Sequence, residues 1–284
     1  MKKILLTGKD GQVGWELQRS LAPLGEVTAF NRAALDLSDA AAIRAAIRAL
    51  RPDLIVNAAA YTAVDLAESE NDLALLINAQ APGVMADEAK NLGALLVHFS
   101  TDYVFDGTKD GAYVEDDAPS PMNAYGRSKL AGEQAIQAVG CRHLIFRTSW
   151  VYSLRGKNFL RTILRLAEQR EELRIIDDQV GAPTWSRMIA EATVLACAHE
   201  APLEGLFHLA SGGAASWHGF TQAILELTRH LRKREPVLTA IPARDYPLPA
   251  ARPHNSRLSC ERLARQTGII LPDWRKALDL CLES

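Results

Sequence analysis

Long apolar runs are missing from this sequence. No stretch of about 20 uninterrupted apolar residues occurs, so a membrane-spanning helix is not expected. The N-terminus, MKKILLTGKDG, carries two lysines and a short apolar run that stops at Leu6. A signal peptide needs a longer apolar core and a small-residue cleavage site. A first β-strand running into a glycine turn is expected there instead. Cysteine is scarce as well. Cys141, Cys197, Cys260 and Cys281 form no C-x-x-C pair, and none stands beside a histidine at metal-ligand spacing. They read as reduced packing thiols of a cytoplasmic protein. An excess of charge is also lacking: the net charge of −2 gives no reason to expect nucleic acid or a membrane surface as partner. Fixed-period repeats and low-complexity tracts are absent. What remains is an ordinary globular composition, 48% apolar and 23% charged, with 284 residues for one large domain or two modest ones.

The first half alternates short apolar runs with amphipathic stretches. Strands are predicted at 3–8, 26–30, 53–60, 94–100 and 142–149. Helices are predicted at 14–25, 38–52 with Ser38 as N-cap, 71–92 and 124–139. Continuous apolar strands in βαβα order imply a parallel sheet covered on both faces, a Rossmann-like doubly wound α/β fold. The second half is less regular. Helical patterns occupy 157–171, 186–199, 218–232 and 274–282, with short strands at 173–177 and 205–210. Five prolines between Pro236 and Pro253 predict an extended loop. The expected organisation is a dinucleotide-binding domain over 1–150, to which the chain returns near 186–210. A smaller, irregular substrate-binding domain occupies most of 151–284 and forms the other wall of a cleft at the carboxyl ends of the strands.

Chemistry enters with TGKDGQVG, which follows the first strand and opens the first helix. Gly8, Gly11 and Gly14 let the backbone turn sharply and approach a pyrophosphate, while the helix N-terminus supplies N–H groups and positive potential. Asp10, Gln12 and Val13 belong to the same turn. The plainer reading is a tight strand-to-helix corner. An acidic residue at the end of the second strand would hold a ribose 2′-hydroxyl. Asn31 and Arg32 stand there instead. Arg32 suits a 2′-phosphate, hence NADPH, and is equally a solvated surface arginine. Asp36 and Leu37 suit a loop beside the adenine, with a turn or helix cap as the alternative for Asp36.

In NAYGRSKLAGE, Tyr125 and Lys129 stand one helical turn apart. A free phenol has a pKa near 10, and a neighbouring ammonium favours its ionised form. The spacing therefore predicts a phenol made more acidic by Lys129, tuned to act as a proton donor. Lys129 is also placed to bind the nicotinamide ribose. Taken alone, the pair is as well explained by two residues sharing one helix face.

TGKDGQVG, STDYVFDG (100–107) and YGRSKLAGE (125–133), in that order, resemble the extended short-chain dehydrogenase/reductase family. GQVGWELQ, VNAAAYTAVDLAE, FRTSWVY, DDQVGAPT and RPHNSRL are similar to its dTDP-4-dehydrorhamnose reductase branch, so that the resemblance covers about residues 2–275. It implies Tyr125 as proton donor, Lys129 as its partner and Thr101 as a hydroxyl that binds the reacting oxygen. It implies Ala60, Tyr61 and Thr62 along the cofactor. Asp102, Val64, Asp65 and Trp150 would lie at the sugar. Asn158, Arg252 and Arg257 would meet the diphosphate, where guanidinium groups form bidentate bonds. The implied reaction is reduction by NADPH or NADH of a dTDP-4-keto-6-deoxy sugar to dTDP-L-rhamnose, in a homodimer. Some relatives bind Mg²⁺ between subunits; Glu16 and Glu191 are the acidic side chains to follow, and no metal site is assigned. Two alternatives stand beside this one: a reductase of another nucleotide 4-keto sugar, and a non-catalytic regulatory subunit of the same fold, which would have no need of a proton donor.

Overall fold

The computed structural model covers residues 1–284. Five apolar runs of the first half are strands: β1 (Lys2–Thr7), β2 (Gly25–Phe30), β3 (Leu54–Asn57), β4 (Leu95–Thr101) and β5 (His143–Thr148). Between and after them run α1 (Gln12–Ser20), α2 (Ala40–Leu50), α3 (Asn71–Leu75), α4 (Ala81–Leu92) and α5 (Ala124–Val139). The single helix expected over 71–92 contains a π-helical turn, Leu76–Gln80, between α3 and α4. Beyond β5 come β6 (Val151–Tyr152), α6 (Phe159–Gln169), β7 (Glu172–Ile176), β8 (Val180–Gly181) and β9 (Thr184–Trp185). The chain ends with α7 (Ser186–Cys197), β10 (Gly205–His208), β11 (Ala215–Ser216), α8 (Trp217–Leu227), β12 (Val237–Ile241), α9 (Glu261–Thr267) and α10 (Trp274–Glu283).

Six parallel strands form the central sheet in the order β10-β5-β4-β3-β1-β2. Side chains alternate across a strand, so β1 serves two cores at once. Ile4 and Leu6 pack with Leu17, Leu21 and Ile189 on the face covered by α1 and α7. Leu5 packs with Ile43, Ile47, Met85 and Ile136 on the face covered by α2, α4 and α5. A third core, around Tyr152, Leu160, Phe220 and Leu278, lies outside the sheet and joins α6, α8 and α10. No helix is long and apolar enough to cross a membrane.

Two sequence expectations are corrected. Asp39, not Ser38, caps α2: its carboxylate accepts from the Ala41 and Ala42 N–H groups. Ser38 is drawn back to Asp36, donating both its backbone N–H (2.9 Å) and its hydroxyl (2.8 Å) to Oδ1. The Pro236–Pro253 stretch is not all loop. Val237–Ile241, bounded by Pro236 and Pro242, is β12 and pairs in parallel with β7. Neither proline sits inside the strand, so no ladder donor is lost.

Candidate active site

A cleft of about 680 Å³ opens at the carboxyl ends of β1, β3 and β4. Its floor begins at the glycine turn. Gly8 has φ +76°, and a Cβ there would lie 2.7 Å from the Ala58 carbonyl oxygen. The Gly11 N–H donates to the Gly8 carbonyl at 2.9 Å. α1 starts directly after Gly11 with no side chain capping it, which leaves its first N–H groups for a ligand. Gly14 is different: a Cβ there would lie 2.0 Å from the Gly8 oxygen, so this glycine seats the helix on the turn and does not line the cleft.

Asp10, Gln12, Val13, Asn31, Arg32, Asp36 and Leu37 all line the same end. Asn31 donates to Asp10 Oδ2 at 3.0 Å, while Arg32 has no ion-pair partner. The two bonds from Ser38, both to Oδ1, hold the Asp36 carboxyl below the usual range and leave Oδ2 open to the cleft end. Ala60, Tyr61 and Thr62 form the middle of one wall. Asn78, in the π-helical turn, fastens it: Oδ1 accepts from the Tyr61 N–H at 2.8 Å, and Nδ2 donates to the Tyr61 carbonyl at 3.0 Å.

The far end is built on α5. Asn123 caps that helix through the Gly126 N–H at 2.7 Å. A Cβ at Gly126 would lie 2.2 Å from the Tyr103 carbonyl oxygen, so only glycine lets α5 begin this close to the end of β4. Tyr125 thereby comes beside Thr101, whose hydroxyl works to lower the phenol pKa. Thr101 Oγ1 also donates to Asp102 Oδ1 and accepts from the Tyr103 N–H. Lys129 is buried, with Nζ 2.6 Å from the Phe99 carbonyl oxygen and 3.1 Å from His98 Nε2.

These contacts correct the expected acidity. Burial raises the Tyr125 pKa to about 12, against the influence of the neighbouring Thr101 hydroxyl and with the Asp102 charge adding to the rise. Lys129 does not contribute to that shift; its ammonium is turned to Phe99 and His98. Burial lowers the Lys129 pKa to about 8, with Glu133 opposing. Desolvation outweighs a charge one helical turn away.

Residues expected at the sugar and diphosphate are only partly brought together. Asp65 and Arg252 meet in a bidentate pair, both bonds 2.8 Å, which spends the guanidinium fork on the protein itself. Ala63 lines the cleft, while Val64, Asp65, Thr101, Asp102, Trp150, Asn158, Arg252 and Arg257 do not. Trp150 sits at φ 45° and stacks flat on Trp217, centroids 3.5 Å apart. Asn158 is the N-cap of α6, and its Nδ2 donates to Gln12 Oε1 at 2.8 Å. Arg257 is held by Asn255 Oδ1 and the Asp110 carbonyl. Asp102 is buried, with Ser149 donating to Oδ2 at 3.0 Å. Glu16 pairs with Arg187 at 3.4 Å, and burial raises the Glu191 pKa with Glu16 adding to it. No cluster of three metal-ligating side chains occurs.

The sequence reading passed over Asn57, Asn78, His98 and Lys157. Lys157 lines the cleft beside the glycine turn. The other three are polar residues fixed inside apolar runs, and each is buried; an amide or imidazole at a core position of a strand or helix was the available signal.

Comparison with known proteins agrees over the full length. Residues 1–284 match the family described as RmlD substrate binding domain. The chain is 50% identical to the dTDP-4-dehydrorhamnose reductase of Burkholderia thailandensis, over 99% of this chain and 98% of that one. It is 47% identical to the Escherichia coli K12 enzyme of the same name, over 96% and 94%. The crystal structure of the Bacillus anthracis dTDP-4-dehydrorhamnose reductase in complex with NADP superposes with a TM-score of 0.92, at 32% identity, covering 100% and 99% of the two chains. Agreement of this kind from end to end, on a sheet whose cleft joins a glycine turn to Tyr125 and Lys129, means that the chain belongs to the dTDP-4-dehydrorhamnose reductase family.

Proposed function

We propose that this protein reduces dTDP-4-dehydro-L-rhamnose to dTDP-L-rhamnose with a nicotinamide dinucleotide, NADPH by preference and NADH as a second donor. The observation that carries this reading is the single cleft in which Gly8 and Gly11 face Tyr125 and Lys129. The turn fits a dinucleotide: the space beside Gly8 is one a side chain would close, and the α1 N–H groups are uncapped. Gly8, Gly11, Gln12 and Val13 would hold the pyrophosphate, and unpaired Arg32 would face a 2′-phosphate. Lys129 would bind the nicotinamide ribose, with Ala60, Tyr61 and Thr62 along the other wall. When bound, the dinucleotide supplies a hydride to C4 of the sugar.

The chain's own residues do the rest. Tyr125 holds a proton through neutral pH, because its pKa lies near 12, and gives it to the C4 oxygen. Thr101 orients that phenol and donates to the same oxygen once its bond to Asp102 is exchanged. On the family resemblance, Trp150, Val64, Asp65, Asp102, Asn158 and Arg252 would serve the sugar nucleotide, beyond the dinucleotide end of the cleft and only after exchanging their present partners. The three-core arrangement supports the division into a sheet domain and a smaller domain built around Tyr152 and Phe220. Tyr125→Phe is expected to lower kcat by roughly 10²-fold or more with little change in KM, followed as loss of reduced-nicotinamide absorbance. A variant that keeps most of the activity would remove Tyr125 as the acid. We assign a cytoplasmic homodimer with no nucleic-acid partner, on the resemblance and on the exposed Leu195 and Ile270 that flank one apolar groove; a monomer in sedimentation equilibrium would refute the dimer.

A further inference from the structure

Three neighbouring strands carry polar side chains at one level on the face covered by α5. Thr7 on β1 is the register partner of Asn57 on β3, and Asn57 is the partner of His98 on β4. Thr7 Oγ1 lies 2.6 Å from Asn57 Oδ1. Asn57 Nδ2 lies 3.1 Å from His98 Nδ1, and His98 Nε2 lies 3.1 Å from Lys129 Nζ. All four residues are 1–2% exposed. A continuous row thus runs from the floor of the cleft at Thr7 to the one lysine of the Thr–Tyr–Lys set.

A neutral imidazole has one N–H and one lone pair. The row therefore has two complete hydrogen-bonding patterns. With Lys129 as ammonium, Nζ donates to His98 Nε2, His98 Nδ1–H donates to Asn57 Oδ1, and Asn57 Nδ2 donates to Thr7 Oγ1. With Lys129 as amine, Thr7 donates to Oδ1, Nδ2 donates to Nδ1, and Nε2–H donates to the Nζ lone pair. The two amide orientations have the same shape, and a hydroxyl ends either pattern, because it both donates and accepts. Between the patterns the row loses one proton, that of the ammonium, into the cleft. The imidazole keeps one N–H and changes only which nitrogen bears it. The Phe99 carbonyl accepts from Nζ in both.

We propose that His98 is a positioning residue for Lys129, and that the Thr7–Asn57–His98 row reverses its hydrogen-bond polarity whenever Lys129 changes between ammonium and amine. This rests on the reading of Lys129 given above. Few other charges reach this point. Glu133, one turn along α5, is paired with Arg147 on β5 and accepts from Ser100. Asp102 at the end of β4 is held by Thr101 and Ser149. From the π-helical turn, Asn78 brings an amide, bonded to Ser128. On α4, Glu88 is spent on Arg44 and Arg48, and Lys90 donates to the Val139 carbonyl at the far end of α5. Burial and the Lys129 charge both hold the imidazole neutral.

Ring-nitrogen NMR of histidine-labelled full-length protein, with His98 assigned through His98→Gln, tests this without turnover. The expected result is a neutral His98 at every pH, with Nδ1–H giving way to Nε2–H through one midpoint. In Lys129→Met one tautomer should persist throughout. A single tautomer across the titration in the wild type, or an imidazolium in weak acid, would overturn the proposal. Kinetics supply a second readout. His98→Leu removes the acceptor for the ammonium, so kcat should fall roughly ten- to a hundredfold and the alkaline limb of its pH profile should move acidward by about one unit. His98→Gln, whose amide can accept or donate, should restore both. An alkaline limb that stays in place in a folded His98→Leu also refutes the row. Should Lys129→Met keep its activity, the reading of Lys129 fails, while the tautomer experiment still decides the row on its own.

Discussion

Asp102 shows what one side chain contributes when it is wholly enclosed. Two hydroxyls bond its carboxylate at 3.0 Å, from Thr101 and from Ser149. Burial nevertheless dominates and raises its pKa from 3.8 to about 6, against those bonds and the influence of the nearby Ser256 hydroxyl. A carboxyl with a raised folded-state pKa takes up a proton on folding, so its contribution is complete below the unfolded pKa and is lost as pH rises through the folded one. For Asp102 that window runs from about pH 4 to about pH 6, and the loss is of the order of 3 kcal/mol. Asp102→Asn keeps the shape and removes the ionisation. Denaturant unfolding near pH 4 and near pH 7 should show wild type losing more stability between the two than the variant does. Equal losses in both proteins would mean that the carboxylate is solvated. Ionised Asp102 also raises the Tyr125 pKa, so the same residue helps keep the phenol protonated.

At the scale of elements, the site depends on how α5 lies against the π-helical turn. Gly132, in the middle of α5, faces Asn78: a Cβ would lie 2.0 Å from that residue's carbonyl oxygen. Gly83, in the first turn of α4 where that helix continues from the π-helical turn, faces Ala135 of α5 at 3.4 Å, an ordinary contact. Intrinsic propensity would favour alanine at both by about 1 kcal/mol. The contact reverses this at Gly132, where backbone meets backbone and α5 must shift. Gly83→Ala should therefore hold or raise the melting temperature. Gly132→Ala should lower it by several degrees and reduce kcat, since α5 carries Tyr125 and Lys129 and Asn78 fastens Tyr61. A Gly132→Ala protein as stable and as active as wild type would show that the two helices can slide. The same elements mark how far the sequence could be read. The sheet was legible, because parallel strands buried on both faces are mainly apolar runs such as LIV (54–56) and LLV (95–97). The bounds expected for α5, 124–139, are those it has. The π-helical turn was not, because its residues keep a helical pattern of apolar positions. β12 was masked by flanking prolines that never enter its ladder. At the site, the glycine turn and the Tyr–Lys spacing were visible, while the sign of the Tyr125 shift was not. Spacing reports neighbours along the helix, and desolvation comes from strands far away in the chain.

Across the whole molecule, polar ties around the cleft link the sheet and its loops to the segments beyond β5. Gln12, in the glycine turn, accepts from Ser153 at 3.0 Å and from Asn158 at 2.8 Å. Asn123, the cap of α5, donates to the Ala251 carbonyl at 2.8 Å. Arg252 grips Asp65 across 187 residues of sequence, and the Ala250 N–H donates to the same carboxylate. The guanidinium holds the Asp65 pKa below its ordinary value, in spite of partial burial. A depressed carboxyl contributes stability above its unfolded pKa and loses it as pH falls through the folded one. The pair is partly exposed, with Asp65 at 36% and Arg252 at 16%, so screening limits it to about 1 kcal/mol. Arg252→Met keeps the packing of the stem and leaves Asp65 unpaired. It should cost about that much near neutral pH and progressively less as pH falls below about 4 and through the depressed Asp65 pKa of the folded wild type. Arg252→Lys should recover only part, because a point charge cannot reproduce two parallel bonds. The comparison to make is unfolding free energy against pH for the three proteins, together with KM for the sugar nucleotide. A KM that rises in Arg252→Met and recovers only partly in Arg252→Lys would place this tie at the substrate as well as between the two parts. A KM unchanged in both would confine Arg252 to holding the cleft together.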